Sequence, residues 1–128
     1  MQINLDEILH FLESSNIVSQ ITEVIIDETA SRCFYKIRCN LTPSDYKFQI
    51  KLINLPDDFL YSYQVYTHTP KIRWDNSPHF PDISTFPHHF HNSDEKVKIS
   101  LLKGENLIDD LQIILANISV FLTGELLK

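Results

Sequence analysis

The sequence predicts an α+β domain: an antiparallel β-meander of five to six strands, with a short N-terminal helix and a long C-terminal helix packed on one face. Two observations carry this. Apolar residues recur with a period of two through most of residues 17–65, and with helical spacing only near the two ends of the chain. The runs are also separated by short spacers, which suit hairpins and not helical crossovers. With 43% of its 128 residues apolar, the chain is expected to form one domain, residues 1–128, around one core.

At the start, Asn4 can cap a helix, Glu7 can return the bond three residues later, and Ile3 can staple to Ile8. Leu5, Ile8, Leu9 and Leu12 then line one face of a helix of about ten residues. Residues 17–26 and 31–41 are rich in β-branched and aromatic types and read as strands. In the next run Tyr46, Phe48, Ile50 and Leu52 point one way and Lys47, Gln49 and Lys51 the other, the pattern of a strand with one wet face. Phe59, Tyr61, Tyr63 and Val65 repeat it after the turn at Leu55-Pro56-Asp57-Asp58. Between Thr69 and Asp94 the pattern stops, because Pro70, Pro78, Pro81 and Pro87 remove backbone donors and restrict their preceding residues. An ordered loop or edge is expected there. Val97, Ile99 and Leu101 resume the alternation, and Gly104 separates them from the long helix. Asn106 can cap that helix, Asp109 and Asp110 suit its first turn, and Leu111, Ile114, Leu115, Ile118 and Leu122 form its inward face.

A net charge of -6 argues against an all-over electrostatic grip on nucleic acid. The distribution is uneven, however. Residues 1–30 hold six acids and no Lys or Arg, whereas residues 31–73 hold seven bases against three acids. Lys36 and Arg38 share one strand face, as do Lys47 and Lys51, which reads first as the solvated side of the sheet. Cys33 and Cys39 fall on one side of one strand, roughly 20 Å apart at strand rise, so they do not bridge and read as small buried thiols. No stretch approaches ~18 consecutive apolar residues, and Asp6 and Glu7 stand where a signal peptide needs positive charge. A cytoplasmic protein without a membrane partner is expected.

Five of the six histidines fall between His68 and His91. In an extended chain His89 and His91 point to one side and His88 to the other. Arg73, His79, His89 and His91 together suit a nuclease or phosphotransferase, with one imidazole as general base, another as general acid, and the guanidinium balancing charge on phosphate. That chemistry needs no metal, and no cofactor is expected. The same region offers an alternative ligand set for a divalent metal, His79, His89, His91 and Asp75, although no spacing matches an established ligand motif. A blander reading is that Trp74 and Phe86 plug the loop into the core while the histidines decorate its surface.

The string Arg73-Trp74-Asp75-Asn76, then Pro78-His79, then Thr85-Phe86-Pro87-His88-His89-Phe90-His91 resembles the signature of the TumE-type toxins of prokaryotic toxin–antitoxin systems. In that family a tyrosine-containing strand leads into Arg-Trp-Asp-Asn, a Pro-His-His and a Phe-Pro-His-His-x-His; Tyr61-Ser62-Tyr63 matches the tyrosine strand. One position departs, since Phe80 stands where the family pattern has its second histidine. The resemblance implies a toxin partnered by a cognate antitoxin, with RNA or a nucleotide as its target, and brings Asp75, Asn76, His88, Trp74, Tyr61 and Tyr63 in as supporting residues. A homodimer is compatible with the sequence. The competing reading is a non-catalytic protein-binding module that docks through its ordered Pro/His-rich loop.

Overall fold

The computed structural model describes residues 2–126. The chain runs α1 (Leu5–Glu13), β1 (Val18–Glu28), β2 (Cys33–Leu41), β3 (Lys47–Leu55), β4 (Asp58–Tyr66), β5 (Pro70–Asp75), β6 (His89–His91), β7 (Val97–Ile99) and α2 (Leu107–Leu126). All seven strands form one antiparallel sheet in sequence order, so the expected meander is present with more strands than the five to six expected. The additional pairing arises inside the Pro-rich segment. Pro70 opens β5, where its lack of a donor is tolerated, and β6 is too short for periodicity to betray it.

Alternation along each strand sorts the side chains into a covered and an open face. Tyr35, Ile37, Cys39 and Leu41 of β2, Phe48, Ile50 and Leu52 of β3, and Tyr61, Tyr63 and Val65 of β4 are buried. They share one core with Ile8 and Leu12 of α1 and with Leu107, Leu111, Ile114, Leu115, Ile118 and Leu122 of α2. Asn4 Oδ1 accepts the Glu7 amide at 3.1 Å, and Asn106 Oδ1 accepts the Asp109 amide at 3.1 Å, so both expected caps form. By length and composition α2 is apolar enough to cross a membrane, which a count of consecutive apolar residues does not detect. Its inward residues are buried in the core beside the sheet, as in the core helix of a globular fold. Cys33 and Cys39 are free, and burial pushes the Cys39 thiol up to about 12.

The opposite face is polar. Register pairing places Lys36, Lys51, Ser62, Asp75 and His89 in one cross-strand row, and Arg38, Gln49, Gln64, Arg73 and His91 in the next. Lys36 and Arg38 pair with Glu23 at 3.3 and 3.8 Å. The basic residues of the middle strands thus lie on the open side of the sheet, and both rows pass through a histidine of β6 before they reach Ile99 and Val97 of β7.

Candidate active site on the open face of the sheet

Arg73, Asp75, His89 and His91 meet because β5 and β6 pair with Arg73 opposite His91 and Asp75 opposite His89. Cross-strand neighbours on one face stand close enough for direct side-chain contact. Asp75 is the hub. Its Oδ1 accepts the Ser77 hydroxyl at 2.7 Å and the Ser77 amide at 3.1 Å, while Oδ2 accepts Arg73 Nε–H at 2.9 Å. Burial alone would raise this carboxyl, but the Ser77 bonds first, and the Arg73 charge with them, outweigh it and hold Asp75 below the ordinary carboxylate range. It is therefore a carboxylate at neutral pH.

The second Arg73 donor, Nη2, lies 3.0 Å from His91 Nε2. A guanidinium only donates, so His91 Nε2 accepts and the ring is neutral, with its proton on Nδ1. Burial first, and the Arg73 charge second, lower the His91 pKa against the opposing pull of Asp75. His91 Nε2 and Asp75 Oδ2, two acceptors 3.6 Å apart, are bridged by this one cation.

His89 is 1% exposed, so substrate can reach it only through its neighbours. Its Nδ1 lies 3.0 Å from the Pro87 carbonyl, which only accepts, so Nδ1 carries the proton. Its Nε2 is 2.8 Å from Asp75 Oδ1 yet has no hydrogen bond of acceptable angle, because the oxygen stands off the ring's N–H axis. Phe80 packs edge-on against both histidines, with ring centroids 4.8 Å from His89 and 5.8 Å from His91. It forms an apolar wall over the cluster.

His79 is exposed and bonds to none of these side chains. It lines, with Arg73, Asp75, Lys51 and Ser62, a depression of about 360 Å³ on the open face. Of the remaining residues expected to support the site, Tyr61 and Asn76 also border this depression, but none of them bonds to the Asp75 cluster. Trp74, Tyr61 and Tyr63 are buried on the covered side, since strand alternation turns them away from Arg73 and Asp75. Burial, with Asp110 and Asp75 next, raises the Tyr61 phenol, and burial likewise raises Tyr63, so both phenols stay protonated at neutral pH. Asn76 is structural: it accepts the Tyr61 amide at 2.9 Å and donates to the Phe59 carbonyl at 2.7 Å, closing the end of β4. His88 stacks on Tyr61 on the covered side, and its Nδ1 is 2.6 Å from the phenol oxygen.

Sequence reasoning missed Ser77, Phe80 and the Pro87 carbonyl as parts of the site. The spacing Asp75-x-Ser77 was a readable signal for Ser77, because a short acidic side chain commonly bonds its own backbone two residues on. Nothing local marks Phe80, which reaches the cluster only when the loop folds back.

The family model described as Toxin TumE matches residues 8–121, which is most of the chain and contains every residue of the cluster. No curated protein and no solved structure matches.

Proposed function

The chain belongs to the TumE toxin family, and on that premise we propose that it is the toxin component of a prokaryotic toxin–antitoxin system and acts on RNA or a nucleotide at the Asp75 cluster. The observation that supports this reading most is the convergence of a buried carboxylate, a neutral imidazole and a guanidinium at the end of a basic open face.

In this reading substrate phosphate enters the depression beside Lys51 and draws Arg73 away from His91, since an Arg–phosphate pair can be bidentate. His91 Nε2, freed of its donor and neutral, takes a proton from the attacking hydroxyl. His79, on the rim of the same depression, returns a proton to the leaving oxygen. Asp75 and buried His89 position the others without touching substrate. The site of action is the cytoplasm, and the controlling partner is a cognate antitoxin.

A second reading, a non-catalytic binding module, is favoured by a surface other than the Pro/His-rich loop from which the sequence expects it: β1 is the outer strand of the sheet and exposes Val24, Ile25 and Ile26. Incubation of the purified protein with cellular RNA and with nucleotides separates the two. The catalytic reading expects new RNA fragments or turned-over nucleotide, lost in Arg73→Ala. Intact RNA and intact nucleotides, with growth inhibition preserved, would leave the binding module in front.

A further inference from the structure

His89 Nε2 poses a problem that a metal-free acid–base site does not solve. The Nδ1 proton is committed to the Pro87 carbonyl, so in the neutral ring Nε2 is a bare lone pair. Among the described residues it has no hydrogen-bond partner although it is buried, and it faces the carboxylate oxygen Asp75 Oδ1 at 2.8 Å. Two acceptors in contact in a water-poor place repel each other. Had the ring been protonated to pair with Asp75, the N–H would aim at the oxygen, and it does not. Two donors that share an ion are arranged differently. At about 2.1 Å from a common ion two ligands stand about 3 Å apart at a right angle and about 3.4 Å apart at the tetrahedral angle zinc prefers, so a shift of about half an ångström opens the pair to such an ion, and in neither case is one ligand aimed at the other.

The third donor is at hand. One ligand atom each from Asp75, His89 and His91 lies within 4.8 Å of the other two, and both Nε2 atoms stand close to the carboxylate, at 2.8 and 3.6 Å. The outer contacts are those that metal ligands require: the far nitrogen of His89 donates to a backbone carbonyl, and the carboxylate is held by Ser77. Phe80 limits the approach of water from one side. His79, exposed and outside this group, drops out of the ligand set that the sequence offers.

Arg73 occupies part of the same space. Its guanidinium holds Asp75 Oδ2 at 2.9 Å and His91 Nε2 at 3.0 Å, so one cation already bridges two of the three ligands. Its side chain is 38% exposed and can swing toward solvent. We propose that Asp75, His89 and His91 bind one divalent transition-metal ion of the zinc type, and that Arg73 is the counter-ion which the metal displaces. Two imidazoles and one carboxylate favour such an ion over magnesium or calcium, which prefer an all-oxygen shell. The displaced guanidinium is then free for a substrate anion. The cluster is the one assigned above, but a metal-bound Nε2 has no lone pair left to take a proton, so the loaded site is an alternative to the metal-free acid–base role of His91 and stands on its geometry.

Binding of Co²⁺ to the full chain, stripped of metal with a chelator, tests this without any activity readout. One equivalent of Co²⁺ should produce visible ligand-field bands that excess Mg²⁺ does not remove. His91→Ala and Asp75→Asn should each weaken binding by about tenfold or more. His79→Ala should leave it unchanged. Arg73→Ala should tighten it, because a competing cation is gone; weaker binding in that variant would overturn the counter-ion role. His91→Gln, with circular dichroism as a check on folding, guards against loss through misfolding. Absence of ligand-field bands in the folded protein, or bands that persist in both His91→Ala and Asp75→Asn, would overturn the site. Either result leaves the toxin reading to be judged by growth inhibition, so the two fail separately.

Discussion

His88 and His89 are neighbours in the chain that serve opposite faces of the sheet. His88 stacks on Tyr61 with ring centroids 5.7 Å apart and its Nδ1 2.6 Å from the phenol oxygen, whereas His89 lies against Asp75 on the open side. His88 closes the turn with Thr85 just ahead of β6, and His89 opens the strand facing the other way. His88→Ala should therefore act through folding: loss of one part-buried hydrogen bond and one ring stack should cost about 1–2 kcal/mol in urea denaturation. Growth inhibition per folded molecule should stay intact. A variant of unchanged stability that had lost toxicity would move His88 into the site.

The inward face of α2 provides a second check. Ile118 is fully buried in the core shared by the sheet and both helices. Ile118→Ala should leave a cavity costing about 2–5 kcal/mol, read as a lower denaturation midpoint at unchanged slope. An unchanged midpoint would mean that the helix is docked on a different face.

Gly104 links the last strand to α2 at φ +68°, and an added Cβ would stand 3.1 Å from His88 Cε1. Its amide and that of Lys103 donate to the buried Asp110 carboxylate at 2.9 and 3.2 Å, which fixes the turn. Gly104→Ala should destabilise by about 1–2 kcal/mol from the left-handed backbone alone. Thermal melting at one pH would expose an error here, since a neutral or stabilising effect contradicts the turn geometry.

Stability should also depend on pH in a stated direction. Burial is the first cause that lowers both His88 and His91, so the folded protein holds these protons less readily than the unfolded chain. Above the unfolded value of about 6.5 both states are neutral and nothing is lost. As pH falls through that value the unfolded chain takes up protons first, and stability declines until the folded-state values are passed. Asp75, whose folded pKa is lowered, adds a further loss at more acidic pH. Melting curves from pH 8 to pH 5 should show this decline, flatter in His91→Ala. A wild-type midpoint that rises on acidification would contradict the neutral His91.

Much of the fold was legible because long strands and amphipathic helices repeat their signal. Phe48, Ile50 and Leu52 alternate with Lys47, Gln49 and Lys51, and burial follows that alternation except at Gln49, which is buried against Arg38. The site was legible in part. Spacing placed His89 and His91 on one side of an extended segment and His88 on the other, which the structure also has. Three residues of β6 are too few for a period, so its pairing with β5 could not be read, and with it the role of Asp75 as hub. The family resemblance brought Tyr61, Tyr63 and Trp74 in as supporting residues, although Trp74 also read as a plug into the core, which is where it lies. Alternation within β4 and β5 turns them into the core.

The central claim is that the cluster joining Arg73, Asp75 and His91 performs the toxin's chemistry. Arg73 and His91 are the members whose loss least disturbs the core, with side chains 38% and 22% exposed. Growth of a host lacking the antitoxin, expressing Arg73→Ala/His91→Ala alongside the unaltered chain, measures this most directly. The account predicts normal growth with the double variant at equal protein level and a melting temperature lowered by no more than a few degrees. Growth inhibition undiminished in that variant would contradict it.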